Sequence, residues 1–169
     1  PISYYAFEML YWTGIREGEL LALISADFNF EKKTLRINKP YQRLEGKDVI
    51  TDPKTPKSNR TIVMPDFLAV EMEDFISSLY GIKDDDRIFT ISKSYLHHEM
   101  DRGAKLAGVK RIRIHGLRHS HISLLINLGF SALAIGERVG YEAVDITYHY
   151  AHLFPTVQTD MASQLETER

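Results

Sequence analysis

The sequence predicts a mainly α-helical domain of the α+β class, with a small three-stranded antiparallel sheet on one edge. Along most of the chain, apolar residues recur at spacings of three and four, the pattern of helices that bury one face. Over residues 27–37, and again over residues 60–64, apolar residues alternate instead, which predicts short strands. With 169 residues, 44 % of them hydrophobic, the chain can build one domain with a sizeable core.

The composition excludes several kinds of site. The chain has no cysteine, which excludes a disulfide framework, a thiolate zinc site and a cysteine nucleophile. Its apolar runs are far shorter than a membrane span, and no signal-peptide pattern opens it. Because the sequence starts at Pro1, without a methionine, and runs directly into an amphipathic segment, we expect residues 1–169 to be a single domain cut from a longer chain. The net charge of −2 is low for a nucleic-acid-binding protein, but the charges are segregated and can still form a basic groove.

The first two predicted helices meet at a pair of charged residues. Residues 1–13 place apolar side chains on one helical face, and Gly14 is a plausible stop for that helix. A second, short helix is predicted from Arg16 to Leu23. Arg16 and Glu19 are three residues apart and therefore share a face. A weak surface ion pair and a functional arginine with a carboxylate partner both fit this spacing.

The sheet is predicted from two segments separated by a polar stretch. Residues 27–37 are typical of a hairpin, and residues 60–64 of a third strand, whereas residues 39–51 show no clear pattern. The intervening run DPKTPKSNR is rich in turn formers, so we expect a turn that carries Lys54 and Lys57. A turn lysine is usually only solvated. On a mobile hairpin it can also bring a proton donor into a neighbouring site.

Two more helices are predicted in the middle of the chain. Asp66 is placed to cap the first, which Gly81 follows. The second begins near Ser92 or Ser94. It carries the run His97–His98–Glu99, but adjacent residues of a helix point in different directions, so we expect no metal site there.

The last third of the chain holds the residues that suggest chemistry. His115 and Arg118 lie where a helix should begin, and helix N-termini attract anions because their N–H groups lack partners. Gly140 ends a further helix, and the polar run DITYHYAH then presents Tyr148 and Tyr150. An anion site beside a presented tyrosine suggests chemistry on a phosphate. The buried stripe of the first of these helices is predicted to be Leu117, Leu124, Leu125 and Leu128, and that of the second includes Leu133, Ile135 and Val139.

Four segments follow one another in an informative order: TGIREGELLAL, PKTPKSNRTIVM, HGLRHSH, and a tyrosine before AHLFP. In this order they resemble the catalytic domain of the tyrosine recombinases, the integrases of phages and conjugative transposons. Single motifs such as HxxR are weak, but the ordered set spans essentially the whole chain. The spacings fit too, because His115 precedes Tyr141 by 26 residues and Tyr141 precedes Tyr150 by nine. The resemblance implies the tyrosine-recombinase catalytic-domain fold, with the site on a DNA-facing surface. It also implies that residues 1–169 are the single catalytic domain, without the DNA-binding domains that precede it in the longer chain.

The resemblance also implies roles for basic residues. Arg16 and Arg118 would hold the scissile phosphate, since guanidinium groups suit its non-bridging oxygens. His115 would bond to the same phosphate or act on the proton of the nucleophile. Lys54, with Lys57 as the alternative, would protonate the departing 5′ oxygen.

Two tyrosines compete for the role of nucleophile. The nine-residue spacing and the YAHLFP context favour Tyr150 over Tyr148. Attack by Tyr150 would give a 3′-phosphotyrosyl link, which stores the phosphodiester energy, so we expect no need for ATP, metal or cofactor. Glu19 would position Arg16 rather than perform chemistry.

Tyr141 departs from the family pattern, which usually has histidine, or sometimes tryptophan, after the glycine that is here Gly140. A phenol can donate one hydrogen bond to a phosphate oxygen but stays neutral near pH 7. Tyr141 could therefore replace a bonding role and not a cationic one. A conservative variant is the favoured interpretation, with a slower enzyme or a site assisted by His149 or His152 as the alternatives.

Three functions fit the resemblance. The favoured one is a site-specific DNA recombinase acting on attachment sites in double-stranded DNA, in the bacterial cytoplasm at the nucleoid. The alternatives are a catalytically weakened DNA-binding relative, which only Tyr141 supports, and a monomeric DNA-relaxing enzyme like the type IB topoisomerases. We expect a homo-tetramer on DNA, a monomer for the isolated fragment, and no membrane partner. The final predicted helix, with Pro155 in its first turn and an apolar face of Val157, Met161 and Leu165, either docks on a neighbouring subunit or packs on its own domain.

Overall fold

A computed structural model describes residues 1–53, 55–155 and 157–169 and confirms the mainly helical prediction. Its helices are α1 (Ile2–Thr13), α2 (Glu17–Ala22), α3 (Asp66–Ser77), α4 (Lys93–Ala107), α5 (His115–Asn127), α6 (Ala132–Val139), α7 (Ala143–Tyr150) and α8 (Gln158–Glu168). Its strands are β1 (Phe28–Asn29), β2 (Thr34–Ile37), β3 (Tyr41–Leu44), β4 (Lys47–Ile50) and β5 (Arg60–Val63). Short 3-10 turns lie at Ser25–Asp27, Pro56–Ser58 and Ala151–Leu153.

The predicted three-stranded antiparallel sheet is present, with β2 between β1 and β5. Leu35 of β2 lies opposite Phe28 on one side and Ile62 on the other, and all three side chains are buried. The residues that the sequence left unplaced form a separate hairpin, β3–β4, which turns through positive φ at Glu45 and Gly46. Most of this hairpin is exposed, so no burial pattern marked it in the sequence.

A large core joins α1, α2, α3, the three-stranded sheet and the start of α4. Its fully buried side chains include Met9, Leu20, Leu35, Met72 and Phe89. Gly14 ends α1 in the left-handed region at φ 69°, as the sequence predicts for a helix stop. The chain therefore reverses direction immediately before Arg16.

A smaller core joins α5, α6 and α7, and here two predicted stripes are wrong. The buried residues of α5 are Arg118, His121, Ile122 and Ile126. Leu117, Leu124 and Leu125 are only partly buried, Leu128 is 61 % exposed, and on α6 Leu133 is 56 % exposed. Burying Arg118 and His121 is possible because neighbouring elements supply hydrogen-bond partners for both side chains. Hydrophobic periodicity could not anticipate a buried face built partly from polar residues.

Of three predicted helix ends, one is confirmed and two differ from the prediction. Ser92 caps α4 by accepting a hydrogen bond from the Tyr95 N–H, as predicted. Asp66 does not cap α3, because it is the first helical residue and its carboxylate lies 2.9 Å from Lys33 Nζ. Pro155 precedes α8 instead of lying in its first turn, since α8 begins at Gln158.

Helix α8 has no buried residue. Its predicted apolar face is exposed, at 51 % for Met161 and 70 % for Leu165. In the part of the chain that the structure describes, no helix combines the length and apolarity needed to cross a membrane.

Candidate active site

Arg118 lies in the first turn of α5 and is the largest fully buried side chain, at 1 % exposure. Its two terminal nitrogens donate to the backbone oxygens of Gly14, at the end of α1, and Val139, at the end of α6. Its Nε has no hydrogen-bond partner among the described atoms. Burial and the nearby charge of Arg16 lower the pKa of Arg118 to about 10, so the guanidinium remains charged at neutral pH. The C-terminal ends of α1 and α6 therefore hold the Arg118 guanidinium at a fixed place.

Tyr141 links this buried cation to Arg16. The guanidinium carbon of Arg118 lies 4.4 Å from the centroid of the Tyr141 ring, and that of Arg16 lies 5.1 Å from it. Such distances allow cation–π attraction, because the ring face carries negative potential. The two predicted phosphate-binding arginines and the atypical Tyr141 thus lie together, although the three positions span 125 residues of sequence (16 to 141).

Glu19 and Arg60 hold Arg16 in place. The Glu19 carboxylate accepts a hydrogen bond from the Arg16 N–H at 2.8 Å and lies 3.6 Å from its guanidinium. Both Glu19 oxygens also accept from Arg60, at 2.9 and 3.0 Å. Burial alone would raise the pKa of Glu19, but the hydrogen bonds and charges of the two arginines outweigh burial and lower it. The Arg16–Glu19 pair is therefore part of a buried network and not an isolated surface pair.

Arg60 is a residue that the sequence reading missed. It also donates to the backbone oxygens of Ser58 and Arg138, both at 2.8 Å, so it ties β5 to α6 as well as to α2. The period of two along β5 buries Arg60 with Ile62. The predicted strand over residues 60–64 therefore already contained the signal that this arginine faces inward.

A groove of about 570 Å³ runs along the exposed side of this network. Its basic wall consists of Arg16, Lys39, Lys57, Lys93 and His115, and Tyr141 closes one end. Burial, the neighbouring His119 and two nearby arginines lower the pKa of His115. Carboxylates also line the groove, and Lys57 Nζ lies 4.0 Å from one of them, that of Glu142.

Lys54, the predicted proton donor, lies outside the described residues. Its chain neighbours Pro53 and Thr55 both line the groove. The predicted turn over residues 52–60 therefore borders the site, with the 3-10 turn Pro56–Ser58 at its end.

Tyr150 and Tyr148 face opposite ways at the end of α7. Tyr150 is 6 % exposed and packs in the smaller core, whereas Tyr148 is 81 % exposed. The expectation that both tyrosines are presented to solvent is therefore wrong for Tyr150. Its ring lines a second cavity, of about 360 Å³, and Tyr141 lies between this cavity and the groove because it lines both.

His119 is a second residue that the sequence reading missed. Its Nδ1 makes a hydrogen-bond contact with the Tyr150 hydroxyl. His115 and His119 are four residues apart on α5, and their rings meet edge to face at 4.8 Å. That i, i+4 spacing places both rings on the same side of the helix and could have identified His119.

A buried pair behind the site braces α1, β5 and α6. Arg138 donates to His121 at 3.1 Å and to the backbone oxygens of Val63 and Trp12 at 2.8 and 3.0 Å. Burial and the charge of Arg138 lower the pKa of His121 to about 4, so this histidine is neutral. We assign the pair a structural role.

The run His97–His98–Glu99 does not converge on a point. His97 is 3.9 Å from Glu17, while Glu99 accepts from Ser3 and Arg102. Across residues 1–53, 55–155 and 157–169, no group of three or more metal-ligating side chains is close enough to hold an ion.

Comparison with known proteins decides the family. A profile described as "Phage integrase family" matches residues 2–156. The chain belongs to the phage integrase family. This confirms the resemblance drawn from the ordered motifs.

Relatives in this family are similar over nearly the whole chain. The ICEBs1 integrase of Bacillus subtilis (strain 168) is 30 % identical over 174 residues, which cover 95 % of this chain and 47 % of the relative. The integrase of Staphylococcus phage L54a is 30 % identical over 179 residues, covering 95 % and 51 %. The chain thus spans about half the length of these curated relatives.

Solved structures share the fold of this phage integrase family member. The Tn1549 transposon integrase, in complex with a circular intermediate DNA, superimposes with a TM-score of 0.80 at 20 % identity, covering 99 % of this chain and 59 % of that one. The catalytic domain of bacteriophage HP1 integrase gives 0.62 at 18 % identity, covering 95 % and 79 %. The tyrosine-recombinase catalytic-domain fold is confirmed.

Proposed function

We propose that this chain carries the catalytic site of a site-specific DNA recombinase, which cleaves and rejoins double-stranded DNA through a 3′-phosphotyrosyl intermediate. The observation that carries the proposal is the packing of Arg16 and Arg118 against Tyr141, together with the contact between the Tyr150 hydroxyl and His119 of α5. Two cations suit a phosphate that gains charge in the transition state, and a fixed hydroxyl suits attack on it. Family membership and relatives named integrase support the same activity.

Arg16 and His115 would contact the phosphate from the groove. The Arg16 side chain is 32 % exposed and points along the groove wall that His115 shares, so a DNA backbone can reach both. Arg118 would stabilise the phosphate charge from the protein interior, as a fixed buried cation. Tyr141, in contact with both guanidinium groups, would donate its hydroxyl to a non-bridging oxygen in place of the usual histidine.

Lys54 would protonate the departing 5′ oxygen, and Lys57 is the alternative. The support for Lys54 is its place between Pro53 and Thr55, which line the groove next to the proposed phosphate position. Lys57 also lines the groove, but the Glu142 carboxylate competes for its ammonium group. A lysine is a suitable acid here because its proton is needed only when the 5′ oxygen leaves.

Tyr150 would be the nucleophile. Tyr148 extends into solvent on the opposite side of α7, and Tyr150 shares a cavity with His119 and Tyr141. Arg118 is close enough to favour the charged form of Tyr150, although burial and Tyr141 together raise the pKa of its phenol. The phosphate that Arg118 supports would therefore lie beside the Tyr150 hydroxyl.

Recombination pairs two DNA sites, so we propose that the protein acts on DNA as a homo-tetramer, in the cytoplasm at the nucleoid. The exposed apolar face of α8 supports this over a monomeric DNA-relaxing enzyme, because the described residues leave Met161 and Leu165 at 51 % and 70 % exposure. A weakened DNA-binding relative is not favoured, since Arg16, Arg118, His115 and Tyr150 are all present in the sequence.

The test is covalent trapping. The chain is incubated at low salt with a pool of nicked duplexes of randomised sequence, labelled at the 5′ end of the nicked strand, so that the short downstream piece diffuses away after cleavage. We expect a labelled protein band on a denaturing gel and a phosphotyrosyl peptide at Tyr150 by mass spectrometry. Tyr150→Phe should still bind DNA and give no adduct, whereas Tyr148→Phe should give the wild-type amount. An adduct that persists in Tyr150→Phe would contradict the assignment.

A further inference from the structure

His119 is in hydrogen-bond contact with the atom that would attack the phosphate. Its Nδ1 meets the hydroxyl of Tyr150, and the two rings lie 5.8 Å apart at an angle of 45°. Tyr150 cannot easily turn to another partner, because its ring is packed with Ile126, Ile146 and other members of the smaller core. The contact joins α5 to the end of α7 and is built into the fold.

The proton of this hydrogen bond lies on the tyrosine. Burial, with the charge of Arg118 and the nearby His149, lowers the pKa of His119, which is therefore neutral at pH 7. Burial and the neighbouring Tyr141 raise the pKa of Tyr150, so the phenol keeps its proton. A neutral imidazole has one nitrogen that accepts and one that donates. The tautomer with an unprotonated Nδ1 accepts the Tyr150 O–H and carries the histidine proton on Nε2.

We propose that His119 is the catalytic residue that removes the proton from Tyr150 as the tyrosine attacks, and that returns it when the strand is rejoined. This rests on the proposed function, in which Tyr150 is the nucleophile. In cleavage the Tyr150 oxygen forms a bond to phosphorus, the bond from phosphorus to the 5′ oxygen breaks, and the phenolic proton passes to Nδ1 of His119. The 5′ oxygen takes its proton from the lysine acid. Rejoining reverses each transfer.

The chemistry requires such an acceptor. A phenol with an ordinary pKa near 10 is ionised in only about one molecule in a thousand at pH 7, and burial makes Tyr150 ionise less. General base catalysis typically contributes about 10²–10⁴-fold to a rate. His119 is in hydrogen-bond contact with the Tyr150 hydroxyl and is therefore in place to supply this factor.

Two roles that the family resemblance gives to His115 as alternatives are here divided between two histidines. His115 lines the groove, whereas His119 lines the cavity that holds Tyr150. His115 would bond to the phosphate and His119 would handle the proton of the nucleophile. The edge-to-face contact between the two rings fixes their orientation relative to each other.

The experiment measures the rate of adduct formation with the randomised nicked duplexes between pH 4.5 and 8. His119→Asn is the test variant, because its side-chain oxygen can accept the Tyr150 O–H near the position of Nδ1 but cannot take up a proton. We expect a rate at pH 7 that is lower by about 10²–10⁴-fold. His98, one of two exposed histidines of α4, serves as the matched control, and His98→Asn should react at the wild-type rate.

The pH profile distinguishes a base from a residue that only positions the tyrosine. The wild-type rate should fall as pH drops through the lowered pKa of His119, and the variant should lack this fall. The titratable and charged groups around His119 are His115 and Arg118 on its own helix, His149 and Tyr150 on α7, His152 on the 3-10 turn that follows α7, and Tyr141. His115→Asn, measured in parallel, identifies any part of the fall that belongs to His115.

A second measurement applies even if His119→Asn does not fold. Nitrogen NMR of the wild-type chain, labelled in its histidines, should show His119 at pH 7 with an unprotonated Nδ1 and a protonated Nε2. A protonated Nδ1 would overturn the inference. A wild-type rate and an unchanged pH profile in folded His119→Asn would also overturn it and would leave the proposed function standing. If wild-type protein forms no adduct at Tyr150, the proposed function and this inference both fail.

Discussion

The ring of Tyr141 covers the guanidinium of Arg118, whose Cζ lies 4.4 Å from the ring centroid. Arg118 is thereby shielded from solvent, and Tyr141, which packs on its guanidinium, lines the groove. Position 141, where the chain departs from its family, is therefore central to the site and not peripheral to it.

Tyr141→His should keep or raise the rate of DNA cleavage, because an imidazole at this place can donate the same hydrogen bond and can also carry charge. Tyr141→Phe keeps the ring over Arg118 and loses only the hydroxyl. One hydrogen bond is worth about 0.5–1.5 kcal/mol, so this variant should be slower by up to about tenfold. Single-turnover adduct formation measures both. Complete loss of cleavage in folded Tyr141→His would contradict the assigned role.

Glu19→Gln should destabilise the fold by about 3–5 kcal/mol, the usual effect of removing one partner of a buried ion pair. Arg60 would keep its buried charge and lose the carboxylate that now accepts from it at 2.9 and 3.0 Å. Urea unfolding at pH 7 gives the value. Glu73→Gln, an exposed carboxylate on α3, is the matched control and should change stability by less than about 0.5 kcal/mol.

The pH dependence of stability should also change in Glu19→Gln. The pKa of Glu19 is lowered in the folded protein, so its contribution is complete above the ordinary glutamate pKa and is lost as pH falls through the folded value. The wild-type chain should lose stability faster than the variant when pH falls below about 4.5. Parallel curves for the two proteins between pH 5 and 2 would show that the carboxylate is not stabilised by Arg60.

Gly140→Ala should destabilise the protein more than Gly108→Ala. Both glycines end a helix at positive φ, 83° and 66°, so both substitutions incur the left-handed backbone strain of about 1–2 kcal/mol. At position 140 the added Cβ would also lie 2.7 Å from Arg60 Nη1, whereas at position 108 it would meet nothing within 4 Å. Comparing the two free energies of unfolding isolates the contact with Arg60. Equal losses would mean that Arg60 moves aside freely.

Removal of residues 157–169 should leave the free energy of unfolding within about 0.5 kcal/mol of the intact chain, because α8 buries no side chain on its own domain. The same deletion should reduce assembly of several copies on DNA, and so should Leu165→Asp in the intact chain. Thermal unfolding and light scattering on DNA check the two effects. A clear fall in melting temperature would instead show that α8 packs on its own domain.

Several helices were predictable because they carry local signals at their ends. Gly14, Gly140 and Ser92 mark their helices in the structure as they do in the sequence. The hairpin β3–β4 was not predictable, because its side chains are mostly exposed and follow no burial pattern. Its contribution to the groove, through Tyr41 and Gln42, was missed for the same reason.

The buried face of α5 was not predictable because burial there does not follow hydrophobicity. Arg118 and His121 are inside while Leu128 is outside. Carbonyl oxygens at the ends of two other helices accept from the terminal nitrogens of Arg118, and Arg138 donates to Nε2 of His121. Those partners are distant in sequence. A pattern within one helix holds no information about them.

By itself, the sequence determined the family and the order of most helices and of the three-stranded sheet, because motif order and spacing do not depend on coordinates. It also predicted five of the described residues as site residues: Arg16, His115, Arg118, Tyr141 and Tyr150. Only the tertiary structure decided which side chains meet. It buried Tyr150 on the same face of α7 as Ile146, left Tyr148 in solvent, and brought His119 to the Tyr150 hydroxyl. The reason is that a hydrogen bond between α5 and α7 depends on how the two helices are oriented and pack against α6. That packing is set by contacts across the whole domain.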